Sequence, residues 1–296
     1  MIDVETVYGV LLISALLLNG VAITASTPLR SLLAPLREGG LITRIMLLDV
    51  VLVPIVAVLA ANALGVDPVT RAAIVIVAAA STGPIGMALT RIARGDVPLS
   101  VTLVVGLGAL NLITVPLVTE LFLPSGITIP LSSLLSSLLG LAVAPLVLGR
   151  LLAVVLERSR SGEPTVRTMR RIAQRGSDVL LLGAVSVALF IEPRAVFDAF
   201  LGPVTIVAII VMLVVAVGAR VVTSDAARVR TLAVVLNARA VGLALTVATI
   251  HLGTVEGLRA SILAYGGLTQ IVPLAVVLLL RRRSRGPLSD PTSRTH

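Results

Sequence analysis

The chain has 296 residues, of which 57% are hydrophobic and 13% are charged, and its mean hydropathy is +1.08. Soluble domains are about 45–50% apolar and about 25% charged, so this composition excludes a soluble enzyme, a nucleic-acid-binding protein and a secreted disulfide scaffold, and predicts a polytopic membrane protein. The net charge of +9 does not indicate nucleic acid, because the arginines lie in loops and at the C-terminus, where they orient a membrane protein.

Long apolar stretches without period-two alternation predict transmembrane helices rather than a β-barrel. Nine spans are readable: 6–26, 41–64, 70–90, 98–121, 131–155, 177–192, 203–222, 229–252 and 258–280. Of the 24 arginines, nineteen lie on one side of the membrane in this arrangement, and only Arg71, Arg194 and Arg259 lie on the other. By the positive-inside rule this predicts a multi-pass protein of the cell membrane with its N-terminus outside and its C-terminus in the cytoplasm.

The spans form one predicted transmembrane domain. It covers residues 1–280, with a first repeat over 1–122 and a second over 130–280. The longest connection, 156–176, is Arg-rich and is predicted to be a cytoplasmic loop. Residues 281–296 are predicted to be a basic, disordered tail. Its arginines are interpreted as a charged stop after the last helix, and contact with anionic membrane lipid is the alternative.

Two pairs of matching segments indicate an internal repeat. Residues 86–90 (GMALT) match 242–246 (GLALT) at an offset of 156, and 115–117 (VPL) match 272–274 at an offset of 157. Because spans three and eight cross the membrane in opposite directions, the copies are antiparallel. This is the inverted repeat of secondary transporters, whose sites lie near the midplane where interrupted helices cross.

Span three contains its own interruption. Gly83, Pro84 and Gly86 relax or remove backbone hydrogen bonding in the middle of the helix, which is tolerated at depth where the backbone lines a cavity. The alternative is a simple proline kink. Span eight has no proline, so its interruption is inferred from the repeat and from the polar run Asn237-Ala238-Arg239.

Two ionisable residues lie well inside predicted spans, at similar depths. They are Asp49 in span two and Arg239 in span eight. A charge at the bilayer centre costs at least about 2.5–3.5 kcal/mol on insertion scales, so each needs a partner or water. We hypothesise that they meet in a central cavity, with Arg239 as counter-charge for an anionic substrate and Asp49 as its resting partner or a proton site. The alternative is a purely structural ion pair.

Side chains with amide or hydroxyl groups inside the predicted spans are further candidates for binding the substrate or an ion. Asn and Gln at depth are favoured over Thr, which usually bonds back to its own helix. The candidate substrate- or ion-binding residues are Asp49, Gly83, Pro84, Gly86, Met87, Thr90, Asn111, Asn237, Arg239, Gly242, Thr246 and Gln270. With no Cys, two His and no phosphate loop or nucleophile constellation, the sequence predicts no metal, no cofactor and no catalytic residue.

The stretch from Gly83 to Ser100 resembles the signature of the bile acid:sodium symporter family, in which a Gly-rich crossover helix is followed by T-x-x-A-x-G-D-x-x-L-S. The resemblance implies an organic-anion transporter with a ten-helix-type fold that lacks the first helix. It implies that spans two to four and seven to nine form a core and that spans one, five and six form a panel. Alternating access by an elevator-like or rocking motion would follow.

The departures from the family pattern concern its sodium ligands. At the positions that the resemblance assigns to them, this chain has Gly86, Met87, Leu107, Gly108, Val235 and Arg239, and a family Gln falls near Asp49. The replacements remove oxygen ligands and place a permanent positive charge where sodium would sit. We therefore expect sodium coupling to be lost, which leaves proton coupling, exchange or uniport open.

Two other functions are compatible with the sequence. One is a related efflux carrier for another metabolite or an auxin-like weak acid. The other is a non-transporting membrane scaffold or an intramembrane enzyme, although an enzyme needs a reacting constellation and none is visible.

Overall fold

The computed structural model describes residues 4–24, 39–83, 85–140, 144–157 and 162–283. Within these ranges the regular elements are helices, and no strand is present beyond one isolated bridge. The helices are α1 (Val4–Thr24), α2 (Gly39–Ala63), α3 (Pro68–Ala79), α4 (Ile85–Ile92), α5 (Val97–Phe122), α6 (Leu131–Leu138), α7 (Ala144–Glu157), α8 (Gly162–Ile191), α9 (Pro193–Leu201), α10 (Pro203–Val222), α11 (Ala226–Val235), α12 (Val241–Leu252) and α13 (Leu258–Arg283).

Four helices of the described chain are long and apolar enough to cross a membrane. They are α2, α5, the segment Thr165–Ile191 of α8, and α10. Large apolar side chains point outward from them, such as Ile113 and Leu213, which are 64% and 60% exposed. A lipid environment is the natural partner of such faces. The count of nine spans stays a prediction, because several predicted spans are divided into shorter helices.

The predicted loop 156–176 is wrong over residues 162–176, which form the first half of the 30-residue helix α8. Arginine is a good helix former, and Pro164 lies in the first turn, where its missing N–H costs no hydrogen bond. Val166, Met169 and Ala173 recur at helical spacing, and the first and last of these are buried. The arginine density suggested a loop, but this apolar stripe makes the segment an amphipathic helix.

Predicted spans three and eight are both broken, as the sequence analysis expected. Span three is divided between α3 and α4, and span eight between α11 and α12. Asp67 caps the N-terminus of α3 through the N–H groups of Val69 and Thr70, and Asp225 caps α11 through that of Arg228. Side-chain caps satisfy the free N–H donors at the start of a helix. The capping aspartate therefore defines the residue at which each broken span begins.

The helices pack in two groups. The panel group is α1, α7 and α8, in which α1 packs along both of the others. The core group comprises α2 to α5 and α10 to α13, in which α3 packs against α2, α5 and α13 and α10 packs against α2, α11 and α13. This grouping agrees with the core and panel implied by the family resemblance. It differs at α6, the first part of span five, which packs on α5 of the core group.

A cluster of polar side chains joins the two groups at one end. The Arg259 guanidinium of α13 lies 4.7 Å from the centre of the Tyr8 ring of α1. It also lies 4.0 Å from Glu192, which follows α8. A cation over an aromatic face and beside a carboxylate is attracted to both, so Arg259 fastens the panel group to the core group here.

Helix α3 lies at the centre of the core group. Every residue from Ala72 to Ala80 is at most 2% exposed. The small side chains of this stretch allow neighbouring helices to approach closely. The helix interruption that follows α3 therefore lies in the interior of the protein.

Candidate functional site at the helix crossover

The two broken spans meet at their breaks, which we call the crossover. Break one is the non-helical segment 80–83, and break two is the segment 236–240 between α11 and α12. They run antiparallel and pair through a bridge between Thr82 and Arg239. The Gly83 N–H donates to the Ala238 carbonyl at 2.6 Å, and the Ala240 N–H donates to the Ser81 carbonyl at 3.1 Å.

These two hydrogen bonds follow the sequence repeat. Ser81 and Ala238 are 157 residues apart, as are Gly83 and Ala240, so each bond is the counterpart of the other. Backbone groups freed by a helix break need partners away from water. Each break supplies partners to the other.

Close approach requires glycine in break one. A Cβ at Gly83 would lie 3.1 Å from the Arg239 carbonyl oxygen and 3.4 Å from the Ala240 Cα. A Cβ at Gly86 would lie 3.3 Å from the Val235 Cα. These neighbours are backbone atoms, which do not move aside easily. Pro84 lies outside the described residues.

Side chains from two further helices stabilise the breaks. The Asn111 carbonyl oxygen of α5 accepts a hydrogen bond from the Ser81 N–H at 2.9 Å, and this bond is buried. The Gln270 amide of α13 donates to the Arg239 carbonyl at 3.2 Å. Both residues were predicted as site candidates, and both bind the backbone of the crossover.

The structure brings Asp49 and Arg239 into direct contact. The Arg239 Nη2 lies 2.9 Å from the Asp49 Oδ1, and the two side chains are 1% and 0% exposed. The Arg239 Nη1 donates to the Ala78 carbonyl at 3.5 Å, near the end of α3. The guanidinium therefore joins α2, α3 and break two.

Asp49 lies in a local widening of α2. Residues Leu47–Leu52 form a π-helical turn, in which the Val53 N–H bonds to the Leu48 carbonyl. Pro54 follows and has no N–H to donate, which favours such a shift in hydrogen bonding. Single π-helical turns are frequent at functional sites, and this one holds the carboxylate that reaches break two.

The two side chains are enclosed by protein, which corrects the prediction that they face a central cavity. Two open grooves of about 610 Å³ each are present. One is lined by α1, α7 and α8, and the other by α2 and α10. Neither is lined by Asp49 or Arg239, because in this conformation the guanidinium is covered by the carboxylate and by α3.

The remaining predicted residues lie further from the crossover contacts. The Thr90 and Thr246 hydroxyls donate to the carbonyls four residues earlier in their own helices, those of Gly86 and Gly242. A Cβ at Gly242 would make ordinary contact with Leu181 at 3.5 Å. These three positions therefore serve local helix structure in this conformation.

Met87 and Asn237 differ from those three. Met87 is half-buried and packs against the main hydrophobic core. The Asn237 amide nitrogen donates to the Ala233 carbonyl at 2.7 Å. Its carbonyl oxygen is buried without a hydrogen-bond partner among the described residues, so Asn237 keeps one acceptor at break two.

Tyr265, on α13, is not among the site residues predicted from the sequence. Its side chain is 1% exposed, and its hydroxyl has no hydrogen-bond partner in the described part of the chain. It lies within electrostatic range of the Arg239 guanidinium. A signal existed, because the chain has only two tyrosines and a buried phenol normally finds a partner.

The Gly-Asp motif of the family signature joins the two broken spans at another point. Asp96 caps α5 by accepting a hydrogen bond from the Leu99 N–H at 3.0 Å. Its own N–H donates to the Thr231 hydroxyl of α11 at 2.7 Å. A Cβ at Gly95 would collide with that hydroxyl. The glycine thus permits, and the aspartate anchors, a contact between α11 and the α4–α5 connection.

Comparison with protein families gives the motif its context. A model of the sodium bile acid symporter family matches residues 13–225. The chain belongs to the sodium bile acid symporter family. As a member of this transporter family with apolar helices, it is an integral membrane protein. A comparison with curated proteins finds no match.

The segment matched by the family model includes one part of the site and ends before the other part. Break one, Asp49 and the Gly-Asp motif lie within residues 13–225, whereas break two and α13 follow the matched segment. No group of three or more His, Asp or Glu residues suited to a metal ion occurs in the described ranges. The distinctive charge of this symporter family member, Arg239, therefore lies outside the part that the family model matches.

Proposed function

We propose that this protein is a secondary active transporter or facilitator of a small organic anion, and that Arg239 is the residue that binds the anion. The observation that carries the proposal is the buried contact of 2.9 Å between Arg239 and Asp49 at the crossover. A guanidinium retains its proton under all physiological conditions, so it offers a permanent positive charge. When no substrate is bound, the Asp49 carboxylate pairs with this positive charge.

The same charge argues against a coupling sodium ion at break two. Cations with oxygen ligands need several carboxylate, carbonyl or hydroxyl oxygens. Gly86 and Met87 supply no side-chain oxygen in the first crossover helix, and Arg239 supplies a positive charge in the second break. We propose that the sodium sites are lost and that transport uses proton coupling, exchange or uniport.

Alternating access around a midplane site is part of the proposal. It is supported by the two crossover hydrogen bonds, which are related by the 157-residue offset of the repeat, and by the division into a panel group and a core group. Interrupted helices that cross in an inverted repeat are the usual site of secondary transporters. The arginine distribution supports a cell-membrane protein with the N-terminus outside.

The first experiment measures the thermal stability of purified protein in detergent. Wild type is heated in sodium or choline salts, and then with cholate, taurocholate, pyruvate or benzoate. A ligand that binds only the folded state, at 100 times its Kd, stabilises the protein by about 2.7 kcal/mol. We expect no shift with sodium and a saturable shift with at least one anion.

Two variants test whether the anion binds to the Arg239 guanidinium. Arg239→Gln is expected to abolish the anion shift, and the double variant Asp49→Asn/Arg239→Gln provides the same test without an unpaired buried charge. Arg220→Gln is the matched control, because Arg220 lies on α10 and is exposed. A saturable sodium shift in wild type, or an anion shift that survives in the double variant, overturns the proposal.

A further inference from the structure

Three buried polar groups around Arg239 have unused hydrogen-bonding capacity. The Asp49 Oδ2, the Asn237 carbonyl oxygen and the Tyr265 hydroxyl are buried without hydrogen-bond partners among the described residues. Buried polar atoms are nearly always satisfied in folded proteins. Polar atoms left over around one guanidinium therefore point to a second arrangement of the site in which some of them are used.

Helix α13 places Tyr265 beside break two. Gly266 packs so closely on Val241 that a Cβ at position 266 would collide with that side chain. Gln270, about one turn further along, donates to the Arg239 carbonyl. Tyr265 adjoins the first of these contacts and lies within electrostatic range of the Arg239 guanidinium. Its hydroxyl is the side-chain O–H donor of α13 without a partner among the described residues.

The ion pair sets a condition for anion binding. A substrate carboxylate that binds the buried guanidinium has to displace Asp49 from it. Displacement leaves the Asp49 carboxylate charged, buried and without its partner, which is strongly unfavourable. The carboxylate avoids this cost by taking up a proton.

No other charged group is placed to relieve Asp49 among the described residues. The helices packed on α2 are α10 and α3. Helix α10 has one charged residue, Arg220, near its exposed end, and α3 has one, Arg71, whose guanidinium bonds to Asn62 at 2.8 Å. Arg44, on α2 itself, lines the groove against α10. Arg239 is the charged group in contact with the buried carboxylate, and the phenol of Tyr265 lies within electrostatic range of Arg239.

We propose that Arg239 exchanges the Asp49 carboxylate for the carboxylate of the substrate, that Asp49 takes up one proton in this exchange, and that the Tyr265 hydroxyl donates a hydrogen bond to the incoming carboxylate. The proposal deepens the proposed function, on which it rests. The proton comes from water and binds an oxygen of Asp49. The site is neutral before and after, since one negative and one positive charge are present in both states. The substrate class is therefore a carboxylate carried together with one proton.

The first test measures binding against pH for the carboxylate that stabilises wild type most among cholate, pyruvate and benzoate. Wild type is expected to lose affinity about tenfold per pH unit above neutrality, because one proton is taken up per anion. Asp49→Asn carries no carboxylate and is expected to bind the same anion with no pH dependence over that range. If Asp49→Asn destabilises the protein, the added carboxylate is expected to restore the melting temperature of this variant, whereas the matching carboxamide is not.

The second test concerns Tyr265. Because a hydrogen bond to a charged group is among the stronger ones in proteins, Tyr265→Phe is expected to raise the Kd of the carboxylate at least about tenfold while leaving the pH dependence in place. Tyr8→Phe is the matched control, since Tyr8 is the other buried tyrosine and packs against Arg259. It is expected to bind with unchanged affinity.

The outcomes separate the two proposals. If no anion stabilises wild type, or if binding survives in Asp49→Asn/Arg239→Gln, the proposed function itself is wrong. If the anion binds through Arg239 but its affinity is independent of pH in wild type, the proton exchange is overturned. Equal affinities in Tyr265→Phe and Tyr8→Phe overturn the assignment of the phenol.

Discussion

Breaks one and two share a reciprocal pair of backbone hydrogen bonds but have different causes. Break one contains Gly83, and Gly86 follows it, so the sequence itself weakens the helix there. Break two, Leu236 to Ala240, contains no glycine and no proline. Break two is held by its contacts with the antiparallel segment of break one, the amide of Gln270 and the carboxylate of Asp49.

The difference shows that a helix interruption inside a membrane protein has two physical origins. Glycine favours break one locally, because a Cβ at position 83 would lie only 3.1 Å from the Arg239 carbonyl oxygen. In break two the residues are ordinary helix formers apart from Asn237, and tertiary hydrogen bonds outweigh their local preference. Break two should therefore depend more strongly on distant residues than break one does.

The largest expected effect comes from removing the partner of Arg239. Asp49→Leu leaves a buried guanidinium without its carboxylate and should lower the free energy of unfolding by about 3–5 kcal/mol. Chemical denaturation in detergent measures the loss, and hydrogen exchange should show faster exchange at 236–240 than at 80–83. The double variant Asp49→Leu/Arg239→Leu should recover most of the stability. Equal protection of both breaks in Asp49→Leu would remove the distinction between them.

A pair of glycine substitutions tests the local cause of break one. Gly83→Ala inserts a Cβ 3.1 Å from the Arg239 carbonyl oxygen and should cost about 2 kcal/mol, as overpacking does. Gly242→Ala is the matched variant in the other repeat, where the Cβ finds only ordinary contact. It should be neutral or stabilising by less than about 1 kcal/mol. Similar melting temperatures for the two variants would contradict a special role for Gly83.

The side-chain supports of the two breaks should differ in strength. Asn111→Leu leaves the buried Ser81 N–H without an acceptor and should cost about 1.5 kcal/mol. Gln270→Leu removes a bond to the Arg239 carbonyl from a half-buried amide and should cost about 1 kcal/mol. Thermal unfolding of both variants in one detergent provides the comparison. A larger loss for Gln270→Leu would reverse the expected order.

The smallest expected effect lies at the Gly-Asp motif, where the broken spans touch away from the breaks. Thr231→Val removes the hydroxyl that accepts from the Asp96 N–H and should cost about 1 kcal/mol. Thr231→Ser keeps the hydroxyl and should retain most of that stability. Because neither variant touches the crossover, protection of both breaks against hydrogen exchange should fall equally. A selective change at one break would connect this joint to that break.

The sequence allowed prediction of those features that depend on strong local or energetic constraints. Gly83, Pro84 and Gly86 indicated break one because two glycines and a proline stand close together inside one apolar span. The pairing of Asp49 with Arg239 was predictable because two opposite charges at similar depth in the membrane both need a partner. The internal repeat then predicted an interruption in span eight as well, although residues 236–240 contain no glycine or proline that would indicate one.

Other features depend on neighbours that a single sequence does not reveal. Tyr265 reads as one more side chain of an apolar helix, and its unpaired hydroxyl follows from how α13 packs on break two. The π-helical turn at Asp49 is likewise a matter of hydrogen-bond register. In residues 162–176 the arginines suggested a loop, because their charge is conspicuous while the stripe of Val166, Met169 and Ala173 is sparse.

Helix α8 is longer than the hydrocarbon layer of a membrane. Its 30 residues, at about 1.5 Å each, give a rod of about 45 Å, while a bilayer's hydrocarbon layer measures about 30 Å. About 15 Å of such a rod therefore extends beyond the hydrocarbon layer. The arginine-bearing half is the part whose charges favour the headgroup region over hydrocarbon, so α8 fixes the depth of the panel group in the membrane.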